Sequence, residues 1–386
     1  MKRSHTIGFD ARSANGNITA QGNYSRFIID AISEACPRHG YFRMYVTDEE
    51  PCAEYELLAS RHNVESMEPD GVLWRRLPRA WRLWHVSKDA KRGDVELYHG
   101  LDEVLPYGLS RRNIRGVVTI HSLDFCRLRS YYNPVQRLWR RLILHDVTRR
   151  ADRVVAVSEC VKRDLVRYVG VDAEKVDVIY SGCHPRFAEP LSEQRLVEVA
   201  ERYNLPDRYI LNVGTQSERK NIGHIVETLK KLDDDLHLVV VGRATSYTRH
   251  ILRRIESLGL SHRVHLIHDV TDEDMPAIYR RAELFVYTSL YEGFATAIVE
   301  ALTVGVPVIA LKGSSMEEAG GPNSIYLNSN DGDALLEEIV RLLGDAEERH
   351  RMVIAGKEYA SRFRSEVVAY NVLKCYKRIG VEIGEW

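Results

Sequence analysis

Residues 284–304 read Leu284-Phe-Val-Tyr-Thr-Ser-Leu-Tyr-Glu292-Gly-Phe-Ala-Thr296-Ala-Ile-Val-Glu300-Ala-Leu-Thr-Val304. The run from Leu284 to Thr288 is short, apolar and β-branched, which predicts a buried strand. The segment from Thr296 to Val304 predicts a helix, because Gly305 and Pro307 stop it. Glu292 therefore lies in the loop at the carboxyl end of a strand, and Glu300 lies about one turn inside the next helix.

This arrangement of two carboxylates favours one class of ligand. In an open α/β sheet, ligands bind outside the carboxyl ends of the strands, and a helix N-terminus there attracts an anion. Carboxylates accept hydrogen bonds from hydroxyls, so the pattern predicts a ligand with hydroxyls and phosphate, such as a nucleotide sugar. The alternative is two solvated helix charges, since glutamates mostly face water. The small or apolar neighbours Gly293, Phe294 and Ala301 favour the binding interpretation.

Composition limits the class of protein. The chain has 386 residues, 44% of them hydrophobic, which suffices for two domains with sizeable cores. The six cysteines are scattered without a C-x-x-C pair, which argues against a metal site and against a disulfide framework. No apolar run approaches the length of a membrane span, and Met1-Lys2-Arg3 leads into a strand without the apolar core of a signal peptide. We therefore expect a cytoplasmic protein with a peripheral contact at the inner face of the membrane.

Strands alternate with helices along the whole chain. This alternation predicts parallel sheets covered on both faces, the doubly wound α/β class. The pattern restarts near residues 182–205, a stretch that contains Gly182, Pro185, Pro190 and Pro206 just beyond it. We expect two Rossmann-like domains facing a cleft, an N-terminal one over 1–185 and a C-terminal one over 186–364. The C-terminal helix, about 365–386, has an apolar stripe and should pack back on the first domain.

A second motif opens the predicted second domain. It reads Ile210-Leu-Asn-Val-Gly214-Thr-Gln-Ser-Glu-Arg219-Lys220-Asn221, a strand, a glycine, a short loop and two adjacent cations. Gly214 lets a ligand approach the backbone closely. Arg219 and Lys220 can neutralise a diphosphate, the first as a fork and the second as a point charge. The alternative is an ordinary basic pair on a surface loop.

Together these motifs resemble a known family. Gly-Thr-x-x-x-Arg-Lys-Asn followed by Glu-Gly-Phe-x-x-x-x-x-Glu is similar to the retaining GT-B glycosyltransferases of glycosyltransferase family 4, above all to mannosyl- and rhamnosyltransferases. Ile7–Arg12 with Gly22-Asn23-Tyr24 resembles the family's first strand and glycine loop. Val117–His121 resembles its central N-domain strand, and Ala151–Glu159 resembles a further strand ending in serine.

The resemblance implies a role for each matched residue. Arg219 and Lys220 would hold the donor diphosphate, Glu300 the ribose, and Glu292 the transferred sugar near its reacting carbon. His121 would contact the sugar and help position the acceptor. The remaining donor-binding positions would be Gly22, Gly214, Thr215, Asn221, Gly293, Phe294, Ala295 and Thr296. Fixed cations and helix N–H groups would stabilise the leaving diphosphate, so no metal and no further cofactor are expected beside a GDP-, UDP- or dTDP-linked donor.

The chain departs from the family pattern at three places. Family members usually read Glu-Gly-Phe-Gly-Leu-Pro, where this chain has Ala295–Ala297. The usual His-Asp pair is His121-Ser122, and the proline before Arg219 is Glu218. These changes leave the donor open. His121 also has a structural interpretation, as a histidine after a buried strand whose ring nitrogens are hydrogen-bonded within the fold. For His99, lining a cleft and packing in the core are equally open interpretations.

Basic residues interleaved with aromatic ones predict a contact with an anionic membrane surface. Trp74–Arg92 contains three tryptophans, and Arg137–Arg150 is also rich in arginine. Pro78 argues against one continuous helix there, and the alternative is ordinary helix packing. A glycan or lipid-linked acceptor would fit such a surface. No nucleic-acid-binding module is recognised.

Four functions remain to be weighed. The first is a retaining hexosyltransferase, moving mannose or a similar sugar from a nucleotide-diphosphate donor. The second is an epimerase of sugar nucleotides with the same architecture, which needs no acceptor. The third, an NAD-binding oxidoreductase, lacks the G-x-G-x-x-G spacing. The fourth is a degenerate, non-catalytic subunit, which the altered Ala295–Ala297 loop keeps open. The sugar, base, acceptor, linkage and oligomeric state do not follow from the sequence.

Overall fold

The computed structural model describes residues 5–16, 19–47, 51–328 and 331–383. The chain divides into two compact units, Met1–Gly182 with Ser365–Trp386, and Cys183–Arg364. The sequence places the boundary at 185/186, and the packing places it at 182/183. Met1–Arg3 and residues 384–386 of the predicted C-terminal helix lie outside the described residues.

Each unit is built on one parallel sheet. The strands of the first unit are β1 His5–Asp10, β2 Gly40–Tyr45, β3 Val64–Met67, β4 Leu97–Gly100, β5 Arg115–Ile120, β6 Arg153–Ala156 and β7 Val176–Val178. Those of the second are β8 Tyr209–Val213, β9 His237–Val241, β10 Val264–Ile267, β11 Leu284–Tyr287, β12 Val308–Leu311 and β13 Ile325–Leu327. Their orders are β3-β2-β1-β4-β5-β6-β7 and β10-β9-β8-β11-β12-β13, with parallel pairing throughout. The doubly wound α/β prediction is confirmed, and the strand order reverses beside β1 and beside β8.

Helices connect these strands. They are α1 Arg12–Asn15, α2 Ala20–Ala35, α3 Ala53–Ala59, α4 Val72–Arg76, α5 Pro78–Ala80, α6 Val86–Arg92, α7 Asp124–Arg127, α8 Pro134–Arg150, α9 Glu159–Asp164, α10 Glu193–Arg202, α11 Ile222–Leu229, α12 Thr248–Ser257, α13 Met275–Arg280, α14 Thr296–Val304, α15 Met316–Gly320, α16 Gly332–Gly344, α17 Ala346–Ala360 and α18 Ser365–Lys377. The π-helical turn Trp81–His85 joins α5 to α6, and the π-helical turn Leu165–Val169 continues α9. Asp331 caps α16 by accepting from Ala334 N.

The second sheet has the buried apolar strands that a parallel sheet requires. Leu284 and Val286 of β11 pack in the same core as Ile210 of β8 and Ile222 and Ile225 of α11. This core holds β8 and β11 as hydrogen-bonded neighbours, with Leu284 opposite Ile210. The loops that follow these two strands therefore start side by side.

Helix α18 belongs to the first unit, where it packs against α2. The Tyr376 hydroxyl lies 2.7 Å from His99 Nδ1, and Thr119 Oγ1 lies 2.9 Å from His99 Nε2. Both ring nitrogens of His99 are thus occupied, and burial lowers its pKa to about 3. Of the two interpretations left open for His99, the structure shows the packed one.

The first unit contains one strand that the sequence pattern does not reveal. β3 lies at the edge of the sheet, and Glu65 and Ser66 in its middle are exposed, so its pattern resembles that of a loop.

No helix within the described ranges is long and apolar enough to cross a membrane.

Candidate functional site

Two loops at the strand-order reversal of the second sheet carry the predicted site residues. Gly214 to Asn221 follow β8, and Thr288 to Ala295 follow β11. Leu290 N donates to Arg219 O at 2.9 Å, and Thr288 Oγ1 donates to Asn221 O at 3.0 Å. These bonds tie the loops together, so residues some 70 positions apart in sequence meet at the carboxyl edge of the sheet.

Glu292 lies at the centre of a cluster of opposite charges. Its Oε1 is 2.7 Å from Lys220 Nζ and 2.7 Å from Arg219 Nη1. The hydroxyls of Ser289 and Tyr287 donate to the same oxygen, at 2.5 and 3.2 Å. Burial alone would raise the pKa of Glu292, but Lys220 and Arg219 outweigh it and lower that pKa to about 2. Glu292 is therefore ionised at neutral pH.

Lys220 is held in a narrow space. Its side chain is buried, its Nζ lies 4.7 Å from the centre of the Tyr287 ring, and it donates to the Tyr287 hydroxyl. Burial lowers the pKa of Lys220 while the neighbouring Glu292 raises it. Gly214 has φ 151°, and a Cβ there would lie 2.9 Å from Lys220 Cε. Glycine is needed at this position for its conformation and for the space that Lys220 occupies.

The two cations lie in a 3-10 turn, Glu218–Lys220, that ends at Asn221 in the left-handed conformation. Asparagine tolerates this conformation better than most residues. Arg219 Nη1 also donates to Tyr291 O at 2.5 Å, which aims its guanidinium at the loop containing Glu292. Thr215, next to Gly214, is half-buried at the start of the same loop.

Glu300 projects from the second turn of α14 and is held by Tyr279. The Tyr279 hydroxyl donates to Glu300 Oε2 at 2.7 Å. Burial raises the pKa of Glu300 to about 7, and the Tyr279 bond offsets part of that effect. The two glutamates therefore differ: Glu292 is ionised at neutral pH, whereas the pKa of Glu300 lies close to neutral pH.

The altered loop before α14 accommodates its substitutions without strain. Ala295 has φ −91°, which any L-residue adopts, so the family's glycine is not required there. No side chain caps α14 at Ala295, and its first N–H groups are therefore the ones an anion would meet. Gly293 and Phe294 precede this helix start, and Thr296 begins the helix.

In the first unit, His121 follows β5 as predicted. Its Nε2 lies 2.7 Å from Leu101 O, and its backbone N donates to Glu103 Oε1 at 3.1 Å. A carbonyl only accepts, so Nε2 carries the proton and Nδ1 is an acceptor in the neutral ring. Burial lowers the pKa of His121, which keeps the ring neutral. The edge of the Tyr24 ring contacts it, with centroids 4.7 Å apart.

Gly22 lies in the first turn of α2 and is buried. Helix α2 begins at Ala20, so Gly22 lies inside a helix rather than in the glycine loop that the resemblance implies.

The sequence interpretation missed a charged cluster at the carboxyl ends of β1 and β4. Arg82 Nε donates to Asp10 Oδ2 at 2.7 Å. Asp102 Oδ2 accepts from Arg12 at 2.8 Å and from Ser13 Oγ at 2.7 Å. Beside it, burial raises the pKa of Glu103 to about 7. The available signal was position: Asp10 ends β1, and Asp102-Glu103 follow β4, on either side of the strand-order reversal.

Comparison with protein families accounts for this architecture. A family described as "Glycosyltransferase Family 4" matches residues 28–187, and one described as "Glycosyl transferases group 1" matches residues 197–359. The chain belongs to glycosyltransferase family 4. It is a glycosyltransferase with the GT-B fold.

Individual relatives of this glycosyltransferase agree. It is 26% identical over 314 residues to the O-antigen chain mannosyltransferase B of Escherichia coli, covering 78% of this chain and 81% of that protein. It is 26% identical to the O-antigen chain mannosyltransferase RfbU of Salmonella typhimurium, over 63% of this chain and 65% of that one. Among solved structures, HepE of Anabaena, crystallised with UDP and glucose, matches with a TM-score of 0.79 at 19% identity, covering 97% of this chain and 100% of HepE. At that identity, the likeness shows the fold.

Proposed function

We propose that this glycosyltransferase moves mannose from a nucleotide-diphosphate sugar to a glycan or lipid-linked acceptor, with retention of the donor's anomeric configuration. The observation that carries the proposal is the cluster of Arg219, Lys220 and Glu292. Two cations and one carboxylate meet where the strand order reverses, the usual ligand position of such sheets. The mannosyl specificity is supported by the two O-antigen mannosyltransferases above.

The cations serve the leaving group. When the sugar–phosphate bond breaks, negative charge builds on the diphosphate, and donors fixed in advance stabilise that charge without reorganising. Arg219 and Lys220 are held in place by hydrogen bonds to the neighbouring loop. The N–H groups at the start of α14 add a positive dipole end. These fixed charges are the reason for proposing that transfer needs no metal.

The two carboxylates accept hydrogen bonds from the hydroxyls of the donor in this proposal. Glu292 is ionised and adjacent to the cations, so we assign it to the transferred sugar. Glu300, one helical turn into α14, is assigned to the ribose, with Tyr279 orienting its carboxylate. In the first unit, His121 presents an acceptor nitrogen, Nδ1, and is assigned to positioning the acceptor.

The test is a transfer assay with GDP-mannose, UDP-glucose and dTDP-linked sugars, with and without EDTA. We expect transfer of mannose to an O-antigen-type mannoside, unaffected by EDTA, with an α-linkage in the NMR spectrum of the product. Donor isomerised without an acceptor would replace the proposal by the epimerase alternative. Binding of donor without any turnover would support the non-catalytic subunit.

We also propose that the first unit contacts an anionic membrane surface through α8. Five exposed apolar side chains recur there at helical spacing: Val135, Leu138, Trp139, Leu142 and Ile143. We call this set the apolar stripe. Trp139 is 65% exposed, and Arg140 and Arg141 beside it are exposed as well. An apolar stripe bordered by cations fits an interfacial helix on anionic lipid.

The second predicted membrane segment, Trp74–Arg92, contributes only in part. Trp81 is buried and donates to Asp89 at 2.8 Å, and Arg82 is paired with Asp10. Leu73 and Trp84 remain exposed. The helix is interrupted before Pro78, as expected, which separates α4 from the continuous helical run over 78–92.

Replacing Trp139 and Leu142 by serine should weaken sedimentation with anionic vesicles at least about tenfold, because both side chains lose apolar contact with lipid. The matched control is Leu252→Ser with Val340→Ser, which changes exposed apolar residues of the second unit. Equal loss in both double variants would remove the stripe from the proposal.

A further inference from the structure

A pocket of about 290 Å³ in the first unit is lined by four arginines. They are Arg129, Arg137, Arg141 and Arg167. Leu138 and Cys126 also line the pocket. None of the proposed roles above uses this pocket. We call it the arginine pocket.

The four arginines have no neutralising carboxylate. Within the described residues none of them makes an ion pair or a hydrogen bond to a carboxylate, and Arg137 Nε is buried without any hydrogen-bond partner. Of the nearby acidic side chains, Asp164 is paired with Arg127 at 3.2 Å, and Asp124 accepts from the Tyr132 hydroxyl at 2.6 Å. Like charges gathered around one cavity repel each other, so such a group is stabilised when an anion enters.

The type of anion follows from the donors. Guanidinium groups bind phosphate through paired N–H groups, and they stay charged at every physiological pH. The pocket volume is about 290 Å³, which is many times the space that one water molecule needs. That space accommodates a phosphate or a diphosphate group.

One wall of the pocket indicates what the phosphate is attached to. Leu138 lines the pocket and also belongs to the apolar stripe of α8. An anion bound to the arginines would therefore lie beside a row of exposed apolar side chains. A phosphate on a hydrocarbon chain matches both surfaces at once.

We propose that the arginine pocket is a binding subsite for the phosphate group of a lipid. Two sources share this chemistry, the headgroup of an anionic phospholipid and the diphosphate of a lipid-linked acceptor. The inference deepens the proposed function by giving the lipid-linked acceptor a phosphate site. Its lipid source rests on the membrane contact proposed for α8, whereas phosphate binding itself does not.

The test compares two double variants of the full chain, Arg137→Gln with Arg141→Gln, and Arg249→Gln with Arg253→Gln. Both pairs lie four residues apart in a helix, α8 or α12, and both remove two positive charges. Arg249 and Arg253 are exposed and outside the pocket. General electrostatic attraction to a membrane is therefore matched between the pair and its control.

Sedimentation is measured with vesicles of phosphatidylcholine alone, with added phosphatidylglycerol, and with added farnesyl diphosphate. We expect the pocket variant to lose at least about tenfold in affinity for one of the two anionic vesicles relative to the control. Loss with phosphatidylglycerol identifies a headgroup site, and loss confined to farnesyl diphosphate identifies a diphosphate site. Equal behaviour of the two double variants on all vesicles would overturn the proposal.

A soluble arm separates this inference from the proposed function. Inorganic pyrophosphate is titrated by calorimetry into the Lys220→Ala protein, which removes one of the cations proposed to hold the donor diphosphate. Adding the pocket substitutions should weaken the remaining binding about tenfold or more, and adding the control substitutions should not. Failure here with transfer intact would reject the pocket alone, and failure of transfer with this result intact would reject the proposed function alone.

Discussion

Glu292 neutralises the two cations of the cluster, Arg219 and Lys220. A buried lysine and an arginine without a counter-ion would be strongly destabilising. Glu292 lies 2.7 Å from both, so the cluster is satisfied before any phosphate arrives. We infer that the donor diphosphate takes over part of this role, which leaves the Glu292 carboxylate available for sugar hydroxyls.

Replacing Glu292 by glutamine should reduce the free energy of unfolding by about 3 kcal/mol, since it leaves buried Lys220 unpaired. Added nucleoside diphosphate should then stabilise the variant more than the wild type, because phosphate replaces the lost negative charge. Thermal unfolding with and without the nucleotide measures both effects. The control is Glu227→Gln, which breaks an exposed pair with Arg254 worth about 0–1 kcal/mol. A smaller nucleotide effect in the Glu292 variant would contradict this account.

The ribose contact proposed for Glu300 predicts that donor binding is sensitive to pH. The pKa of Glu300 is raised to about 7, so the carboxylate proposed to accept ribose hydrogen bonds forms only as pH rises through that value. We expect KM for the donor to fall as pH rises from about 6 to 8, by up to about tenfold per unit below the pKa. Glu300→Gln should lose this pH dependence of KM. Parallel profiles in the two proteins would show that Glu300 is not the titrating group.

The same shift has a consequence for stability, with a defined sign. The pKa of Glu300 is higher in the folded chain than its ordinary value of 4.5. Its contribution to the free energy of unfolding is therefore fully present below about 4.5 and is lost as pH rises through about 7. Glu300→Gln should flatten this decline in a series of denaturant titrations.

At the scale of elements, the proposed donor site consists of two strand–loop–helix units, β8 to α11 and β11 to α14. Sequence reasoning located both, because apolar strands, a glycine and a helix stop are local signals. It also placed Glu292 and Glu300 in their loop and helix. The Asp10, Arg82, Asp102 and Glu103 cluster was missed, because its members come from three distant segments and meet only through the order of the strands.

The loop after β8 depends on Gly214, so Gly214→Ala should weaken nucleotide binding at least about tenfold. The added Cβ would lie 2.9 Å from Lys220 Cε and force that side chain to move. Gly259→Ala is a suitable control, since Gly259 also has positive φ but has nothing within 4 Å of an added Cβ. Both variants should lose stability from backbone strain, by about 1 kcal/mol or more. If calorimetry finds equal nucleotide affinity in the two variants, Gly214 does not act through Lys220.

At the scale of the whole molecule, the two units differ in charge as well as in strand number. The first unit, 1–182 with 365–386, contains 32 Lys and Arg against 27 Asp and Glu, although the chain as a whole has a formal net charge of −1. The excess lies partly in α8, where the apolar stripe and the arginine pocket also lie. Sequence composition indicated this basic region, but only the folded chain separates paired arginines such as Arg82 from those without a carboxylate partner.

The central claim is that Arg219 and Lys220 bind the diphosphate of a nucleotide sugar. The measurement that tests it most directly is calorimetric titration of GDP, UDP and dTDP into the wild type, Lys220→Ala and Lys230→Ala, without divalent metal. Lys230 is an exposed lysine at the C-terminal end of α11 and serves as the charge-matched control. We expect at least one nucleotide to bind the wild type and Lys230→Ala equally and to bind Lys220→Ala at least about tenfold more weakly. Unchanged affinity in Lys220→Ala, or no binding of any nucleotide to the wild type, would contradict the claim.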